Sequence, residues 1–236
     1  MTDNLPKTKE AQYELLFRVR EKHGISRFGL MANESWNEDP RRTLFTLARY
    51  KFVAKMLSGR NRVLEIGCAD AFGTRLVQQE VNHVTAVDFD PIFIEDVRSR
   101  MNPNWPIDCF VHDILSGPVP GSYDAAFCLD VFEHIAPENE RHFLENMYAS
   151  LNSHGVAVIG IPSLESQVFA SPQSKAGHVN CKSGRDFKRI LQDHFHNVFV
   201  FSMNDEVVHT GFFPMAHYLI AVACEPKSNP VVSHVE

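Results

Sequence analysis

Between Arg62 and Ile161 the chain alternates short apolar runs with longer stretches of helical period, and this alternation limits the fold more than any other feature. Val63-Leu64-Glu65-Ile66 closes on Gly67, and a helical stretch follows from Gly73 to Glu80. Val84-Thr85-Ala86-Val87 ends in Asp88. Pro91 then opens a helix with Ile94, Val97 and Met101 inward, since proline is tolerated at a first helical position. Further strands are predicted over 107–112, 125–129 and 156–161, with a helix over 137–151 that buries Phe143, Leu144, Met147, Tyr148 and Leu151. Strands separated by helices need crossover connections, which are right-handed and make a parallel sheet with helices on its faces.

The last third departs from this rhythm. Residues 163–182 are polar and without period, which reads as a lid or insertion. Ser183 and Asp186 stand at the cap and third positions of a helix running to His194. Val198-Phe199-Val200-Phe201 and the run from Tyr218 to Cys224 have no crossover helix between them, so they are expected to pair antiparallel. The expected architecture is α/β, a doubly wound Rossmann-like sheet of seven strands with the last one antiparallel. Residues 1–57 form an N-terminal helical cap, 58–228 the main domain, and 229–236 a flexible tail. In the cap, Ala11, Leu15 and Val19 share one face of a helix over 9–23, with Leu16 and Phe17 beside them. Residues 28–40 read as an irregular polar link containing Trp36, a packing anchor or a cover for the site. A second helix over 41–57 carries Phe45, Ala48, Phe52 and Met56 inward.

Composition narrows the function classes. The formal net charge is −6, whereas a protein that lives on phosphate contacts needs a basic face, so a nucleic-acid partner is not expected. The five cysteines form no C-x-x-C pair, which suits thiols used as small apolar side chains in a reducing compartment. No apolar run approaches the about 18 residues of a membrane span, and the first ten residues lack the apolar core of a signal peptide. The expectation is a cytoplasmic protein without a membrane partner, as a monomer or a homodimer.

In a doubly wound sheet, ligands bind beyond the carboxyl ends of the strands, where strand order reverses. Three acidic positions fall there: Glu65 before the loop Gly67-Cys68-Ala69-Asp70-Ala71-Phe72-Gly73, Asp88 at the end of the second strand, and Asp113 after the third. A dinucleotide fingerprint is excluded, because Ala69 and Phe72 stand where G-x-G-x-x-G needs glycines, and there is no P-loop lysine. With Glu65, Gly67, Ala69 and Ala71, then Asp88, Val111-His112-Asp113-Ile114, and Tyr123-Asp124 through Asp130, residues 62–161 resemble the core of class I S-adenosylmethionine-dependent methyltransferases. The resemblance implies that S-adenosylmethionine is the cofactor and S-adenosylhomocysteine its product. It implies that Asp88 holds the ribose diol, Asp113 the adenine amino group, and Gly67 with Glu65, Cys68 and Ala69 the methionine end. Phe89 and Ile114 would sandwich the adenine, with His112, Leu129 and Asp130 beside the cofactor. Ala69 and Ala71 depart from the family's glycines, and alanine there is expected to need negative φ.

Asp130-Val131-Phe132-Glu133-His134 is similar to the carboxylate-x-x-Glu-His of ubiquinone-biosynthesis type small-molecule O-methyltransferases. A hydroxyl acceptor must lose a proton during methyl transfer, and imidazole is the side chain that exchanges protons near neutral pH. His134 and His178 of the lid are therefore the candidate bases, with Glu133 beside them. A divalent cation on Asp130, Glu133 and His134 is open within that family. The implied function is methylation of a small molecule at oxygen. The alternatives are N- or C-methylation of a metabolite and a cofactor-binding subunit without catalysis. A pocket filled by its own side chains would favour the last of these. His194 and His196 sit at a helix-to-strand turn and read as surface.

Overall fold

The structure is a computed structural model that describes Pro6 and residues 8–227. The tail expected over 229–236 lies outside the described residues. Eight strands make one sheet, in the order β3-β2-β1-β4-β5-β8-β6-β7. They are β1 (Arg62–Ile66), β2 (His83–Asp88), β3 (Asp108–Val111), β4 (Tyr123–Leu129), β5 (Leu151–Pro162), β6 (Phe195–Asn204), β7 (Val207–His209) and β8 (Tyr218–Pro226). The first five are mutually parallel. β8 runs antiparallel to β5 and β6, as its missing crossover requires. The eighth strand is β7, which folds back on β6 with Asn204 opposite Val207. Three residues are too few to show an alternating pattern in sequence, so this hairpin escaped the count of seven.

The strands are apolar on both sides because both faces of the sheet are covered. Leu64, Ile66, Ala126, Cys128, Ile159 and Ile161 pack under α6 (Glu140–Ala149) and α8 (Gly184–His194), which contribute Phe143, Leu144, Met147, Phe187 and Leu191. Val63, Val84, Phe127 and Val158 face the other way, onto Tyr50, Val53 and Leu57 from α3 (Pro40–Met56) and Val77 from α4 (Thr74–Gln78). A third cluster sets Ile94 and Val97 of α5 (Pro91–Arg100) against Ala86 and Cys109. Local chemistry starts these helices where expected. Asp39 and Asp90 cap α3 and α5 ahead of prolines, and the Ser183 hydroxyl accepts the Asp186 N–H at the start of α8.

The cap differs from its sequence reading in three ways. Residues 28–40 are not an irregular link, since α2 (Leu30–Glu38) forms there. None of its residues is buried, so no apolar stripe marked it in sequence. The first helix, α1, covers only Glu14–His23 after a 3-10 turn at Ala11–Tyr13, and its apolar face stays in solvent, with Leu15 and Leu16 each 62% exposed. In α3 the fully packed residues are Thr43, Tyr50, Val53 and Ala54. Phe45 and Phe52 lie to the side, against His217 and Phe201. That helix is thus wrapped on two faces. The lid is not featureless either, containing a 3-10 turn (Glu165–Phe169) and α7 (Pro172–Gly177). A bridge between Ser163 and Lys182 pins its two ends together.

A carboxyl group ties β1 to α3 and α4 inside this framework. Glu65 of β1 is buried and accepts hydrogen bonds from the Tyr50 hydroxyl of α3 (2.7 Å) and the Thr74 hydroxyl of α4. Burial pushes its carboxyl up to about 7, against the downward pull of those two bonds. The folded state therefore holds this proton more tightly than the unfolded chain. Its stabilising contribution is complete below a carboxyl's ordinary 4.5 and is lost as pH rises through about 7. Between those limits the wild type is expected to lose about 3 kcal/mol relative to Glu65→Gln. Urea unfolding of both proteins at pH 5 and pH 8 measures the difference, and an equal gap at the two pH values would refute it.

Candidate functional site

Strand order reverses between β1 and β4, so the chain leaves these neighbouring strands in opposite directions and opens a crevice at their carboxyl ends. The loop after β1 is drawn tight by its own backbone. Gly67 and Cys68 both donate to the Val87 carbonyl, and the Ala69 N–H donates to the Asp88 carboxylate at 2.8 Å. To make this curl, Gly67, Ala69 and Ala71 adopt φ of +72°, +44° and +51°. The expectation of negative φ at the two alanines is thereby overturned. The loop keeps the left-handed geometry that suits glycine, at a cost of about 1–2 kcal/mol for each alanine. At Gly67 a Cβ would stand 2.4 Å from Val131 Cγ2, so only glycine lets this loop meet the loop after β4.

The crevice widens into a cavity of about 780 Å³, within the usual range for a small-molecule site. Gly67, Cys68 and Ala69 line one wall; Leu129, Asp130, Glu133 and His134 line another; His178 reaches in from the lid. The cap closes the remainder with Ala32 of α2 and Arg42, Phe45, Arg49 and Tyr50 of α3. Asp70 ties the cap to the loop, because its carboxylate accepts the Ala32 N–H at 2.7 Å and the Phe72 N–H at 3.1 Å. Phe28 packs edge-on against Phe72 and lies beside Trp36. Trp36 itself does not line the cavity, which makes it an anchor of α2.

The other predicted cofactor residues lie outside the cavity wall. Glu65 has both oxygens committed to Tyr50 and Thr74 behind the loop, so its reading as a direct ligand gives way to that of a positioning residue. Asp88 is buried, with one oxygen on the Ala69 N–H and the other on the Asp90 N–H at 3.0 Å. Phe89 is exposed at the end of β2. His112 Nε2 lies 2.9 Å from the Gly117 carbonyl, and the Asp113 carboxylate accepts the Leu115 N–H at 2.9 Å. Ile114 is in the core, its carbonyl held by Asn146.

After β4 the chain turns through Asp130 at φ +58° into a 3-10 turn at Phe132–His134. This turn brings the predicted catalytic residues together with the lid. The His134 and His178 rings stand 5.2 Å apart, edge to face. His134 Nδ1 lies 2.9 Å from the Gly177 carbonyl, and His178 Nδ1 lies 2.8 Å from Gln167 Oε1. Glu133 is completely buried, and its backbone carbonyl accepts the N–H groups of Val179 and Asn180, both at 2.9 Å. Its two carboxylate oxygens have no hydrogen-bond partner among the described residues. Burial first, then the charge of Asp130, push the Glu133 carboxyl well above its ordinary range. Burial, followed by His134, lowers the pKa of His178.

Asp130 has a different partner. Arg49 Nη1 donates to its two oxygens at 2.9 and 2.6 Å, and the guanidinium lies 3.7 Å over the Tyr218 ring. No signal in the sequence pointed to Arg49 or Tyr218. They come from α3 and β8 and reach the site only through folding of the cap and the sheet.

A family model described as a methyltransferase domain matches residues 63–155. The ubiquinone biosynthesis O-methyltransferase of Xanthomonas campestris pv. campestris (strain B100) is 28% identical over 118 residues, which are 47% of this chain and 49% of that protein. The protein of the same name from Xanthomonas euvesicatoria pv. vesicatoria (strain 85-10) is 27% identical over the same shares. The match thus spans about half the length of these curated relatives. Among solved structures, the N-methyltransferase NodS from Bradyrhizobium japonicum WM9, in complex with S-adenosyl-L-homocysteine, has a TM-score of 0.58 at 20% identity, covering 81% of this chain and 91% of that one. A TehB-like SAM-dependent methyltransferase from Corynebacterium glutamicum ATCC 13032 Kitasato has a TM-score of 0.59 at 18% identity, covering 83% and 99%. At such identities the structures show the fold alone. Residues 63–155 carry a methyltransferase domain, set in the class I S-adenosylmethionine-dependent methyltransferase fold.

Proposed function

We propose that this chain transfers a methyl group from S-adenosylmethionine to a small molecule, at a hydroxyl oxygen. The observation that carries the reading is the cavity itself. Its one wall is the curled loop Gly67–Ala69, and across from the loop stand two histidines and a buried glutamate. A subunit that only bound cofactor would have no need of an open acceptor cavity ending in proton-accepting groups. The −6 charge and the small enclosed site also favour a metabolite over a nucleic acid. S-adenosylmethionine, when bound, supplies a methyl carbon on a sulfonium, with a neutral thioether as leaving group. The chain's part is to hold, orient and dry the reactants and to take up the hydroxyl proton.

The residue roles combine what the family resemblance implies with the lining of the cavity. Gly67, Cys68 and Ala69 border the methionine end, and Leu129 and Asp130 the reacting end. Asp88, fixed by two backbone N–H groups, has lone pairs left for the ribose diol. Phe89 and Ile114 flank the adenine, with Asp113 at its amino group and His112 alongside. His134 takes the acceptor proton. The Gly177 carbonyl holds the proton on its Nδ1, which leaves Nε2 as the basic nitrogen. His178 is its lid neighbour and the second candidate.

Calorimetry is expected to register S-adenosylhomocysteine at micromolar affinity. Asp88→Ala should weaken binding by about 1–3 kcal/mol through lost charge-assisted bonds. Tight binding of a nicotinamide cofactor with none of the homocysteine compound would reverse the assignment.

Replacing His134 by alanine should lower turnover by about 10²–10⁴-fold, the usual worth of a positioned base. Cofactor affinity should hardly change. His178→Ala measured beside it decides which ring does the work. Full activity in both variants would exclude a histidine base and turn the reading toward a nitrogen acceptor.

A further inference from the structure

We propose that the Tyr218 hydroxyl is a further catalytic group of this site, donating a hydrogen bond to the acceptor oxygen and holding the negative charge that develops there. This role rests on the methyl-transfer reading. Tyr218 opens β8, is 1% exposed, and lines the cavity together with Leu129, Asp130 and His134. Its hydroxyl has no hydrogen-bond partner among the described residues. A buried donor left unpaired weakens a fold, so the packing gains nothing from this oxygen. Tyr50, the other tyrosine of the cavity wall, is the contrast, because its hydroxyl donates to Glu65 at 2.7 Å. The chain also makes room for the Tyr218 oxygen. Gly160 lies inside β5, between Leu129 of β4 and Ile220 of β8. A Cβ there would stand 2.6 Å from the Tyr218 hydroxyl oxygen and 2.6 Å from Leu129 Cδ2. Glycine weakens a strand interior and often marks a close approach. Here it lets the ring lie across β5 and bring its oxygen to the carboxyl end of β4, where Asp130 begins the turn toward His134.

The surroundings suit a donor rather than a base. Burial first, then the charge of Asp130, raise the phenol's pKa well above its ordinary range, with Arg49 pulling the other way. Tyr218 therefore keeps its proton near neutral pH. The Arg49 guanidinium, 3.7 Å over the ring, draws on the electron density of the phenol and makes its O–H a stronger donor. An acceptor hydroxyl that gives its proton to His134 Nε2 forms the oxygen–carbon bond as the carbon–sulfur bond breaks, and the electron pair of that bond stays on sulfur. Tyr218 retains its own proton throughout. Before the reaction its partner is a neutral hydroxyl. As that hydroxyl loses its proton the oxygen grows more negative, so the bond from Tyr218 strengthens most at the transition state.

The test compares the wild type with Tyr218→Phe, which removes only the oxygen and leaves the ring under Arg49. The probe is para-nitrophenol, whose hydroxyl ionises near neutral pH and whose absorption band reports the charge. Its anion stands for the acceptor oxygen once the proton has gone. Titrated into the full chain with and without S-adenosylhomocysteine, the probe is expected to bind the wild type as nitrophenolate. Tyr218→Phe should weaken that binding by about 10–100-fold. Urea unfolding should find Tyr218→Phe at least as stable as the wild type, since no bond within the fold is lost. Tyr50→Phe, which strips a bonded hydroxyl from Glu65, should lose stability. A wild type that takes up no nitrophenolate would overturn the proposal. So would equal affinity in the two proteins, or a Tyr218→Phe as destabilised as Tyr50→Phe. Calorimetry with S-adenosylhomocysteine keeps the two ideas apart. Nitrophenolate binding that needs Tyr218, in a chain that does not bind this compound, keeps the phenol as an anion-holding group and loses methyl transfer. Uptake of the compound, with nitrophenolate indifferent to Tyr218, does the reverse.

Discussion

The site depends on the point at which parallel strand order reverses. β1 and β4 are neighbours whose following connections leave in opposite directions, so no helix covers the gap between their carboxyl ends. The two loops that border the gap touch at Gly67 and Val131, where a single added methyl would collide. That contact sets the distance between the loop that borders the methionine end in the proposed function and the turn that bears Glu133 and His134. Everything chemically interesting is placed relative to it. The left-handed backbone at Ala69, Ala71 and Asp130 shows the same constraint felt by the chain on both sides.

Three carboxylates buried or half-buried around the crevice are handled in three ways. Glu65 is pushed toward its neutral form by burial while it accepts hydrogen bonds from two hydroxyls, which joins β1 to α3 and α4. Asp130 is matched by Arg49, which joins the turn after β4 to the cap. Glu133 is held through its backbone carbonyl, and its carboxyl oxygens have no hydrogen-bond partner among the described residues. The first two arrangements are structural, since removing either partner would strand a charge or a polar group in low dielectric. The third has no structural return, and such an uncompensated group beside two histidines in a cavity is where chemistry is to be sought.

The cap is part of the site rather than an appendage. α2 presents the Ala32 N–H to Asp70, and Gly29 approaches Asp70 and Arg100 so closely that no side chain fits there. α3 contributes Arg49 and Tyr50, one to each of the two structural carboxylates. A shift of α3 would therefore disturb both loops at once. The comparisons reach least far here, because the family match begins at residue 63, after the cap.

By itself the sequence determined the order of strands and helices from 62 to 161, the helix start at Pro91, the cap at Ser183, and the antiparallel end of the sheet. Those features follow from the period of apolar residues and from capping chemistry, which act over a few neighbouring positions. It also singled out Glu133 and His134, through the family resemblance of their motif, and His178, through its place in the lid. Only the tertiary structure decided that the two imidazoles meet, that Asp130 belongs to Arg49, that α2 exists, and that Glu65 lies behind the loop rather than in the cavity. Each of these depends on groups far apart in the chain. Such contacts are settled by the packing of cap, lid and sheet, and the period of a local pattern carries no record of them.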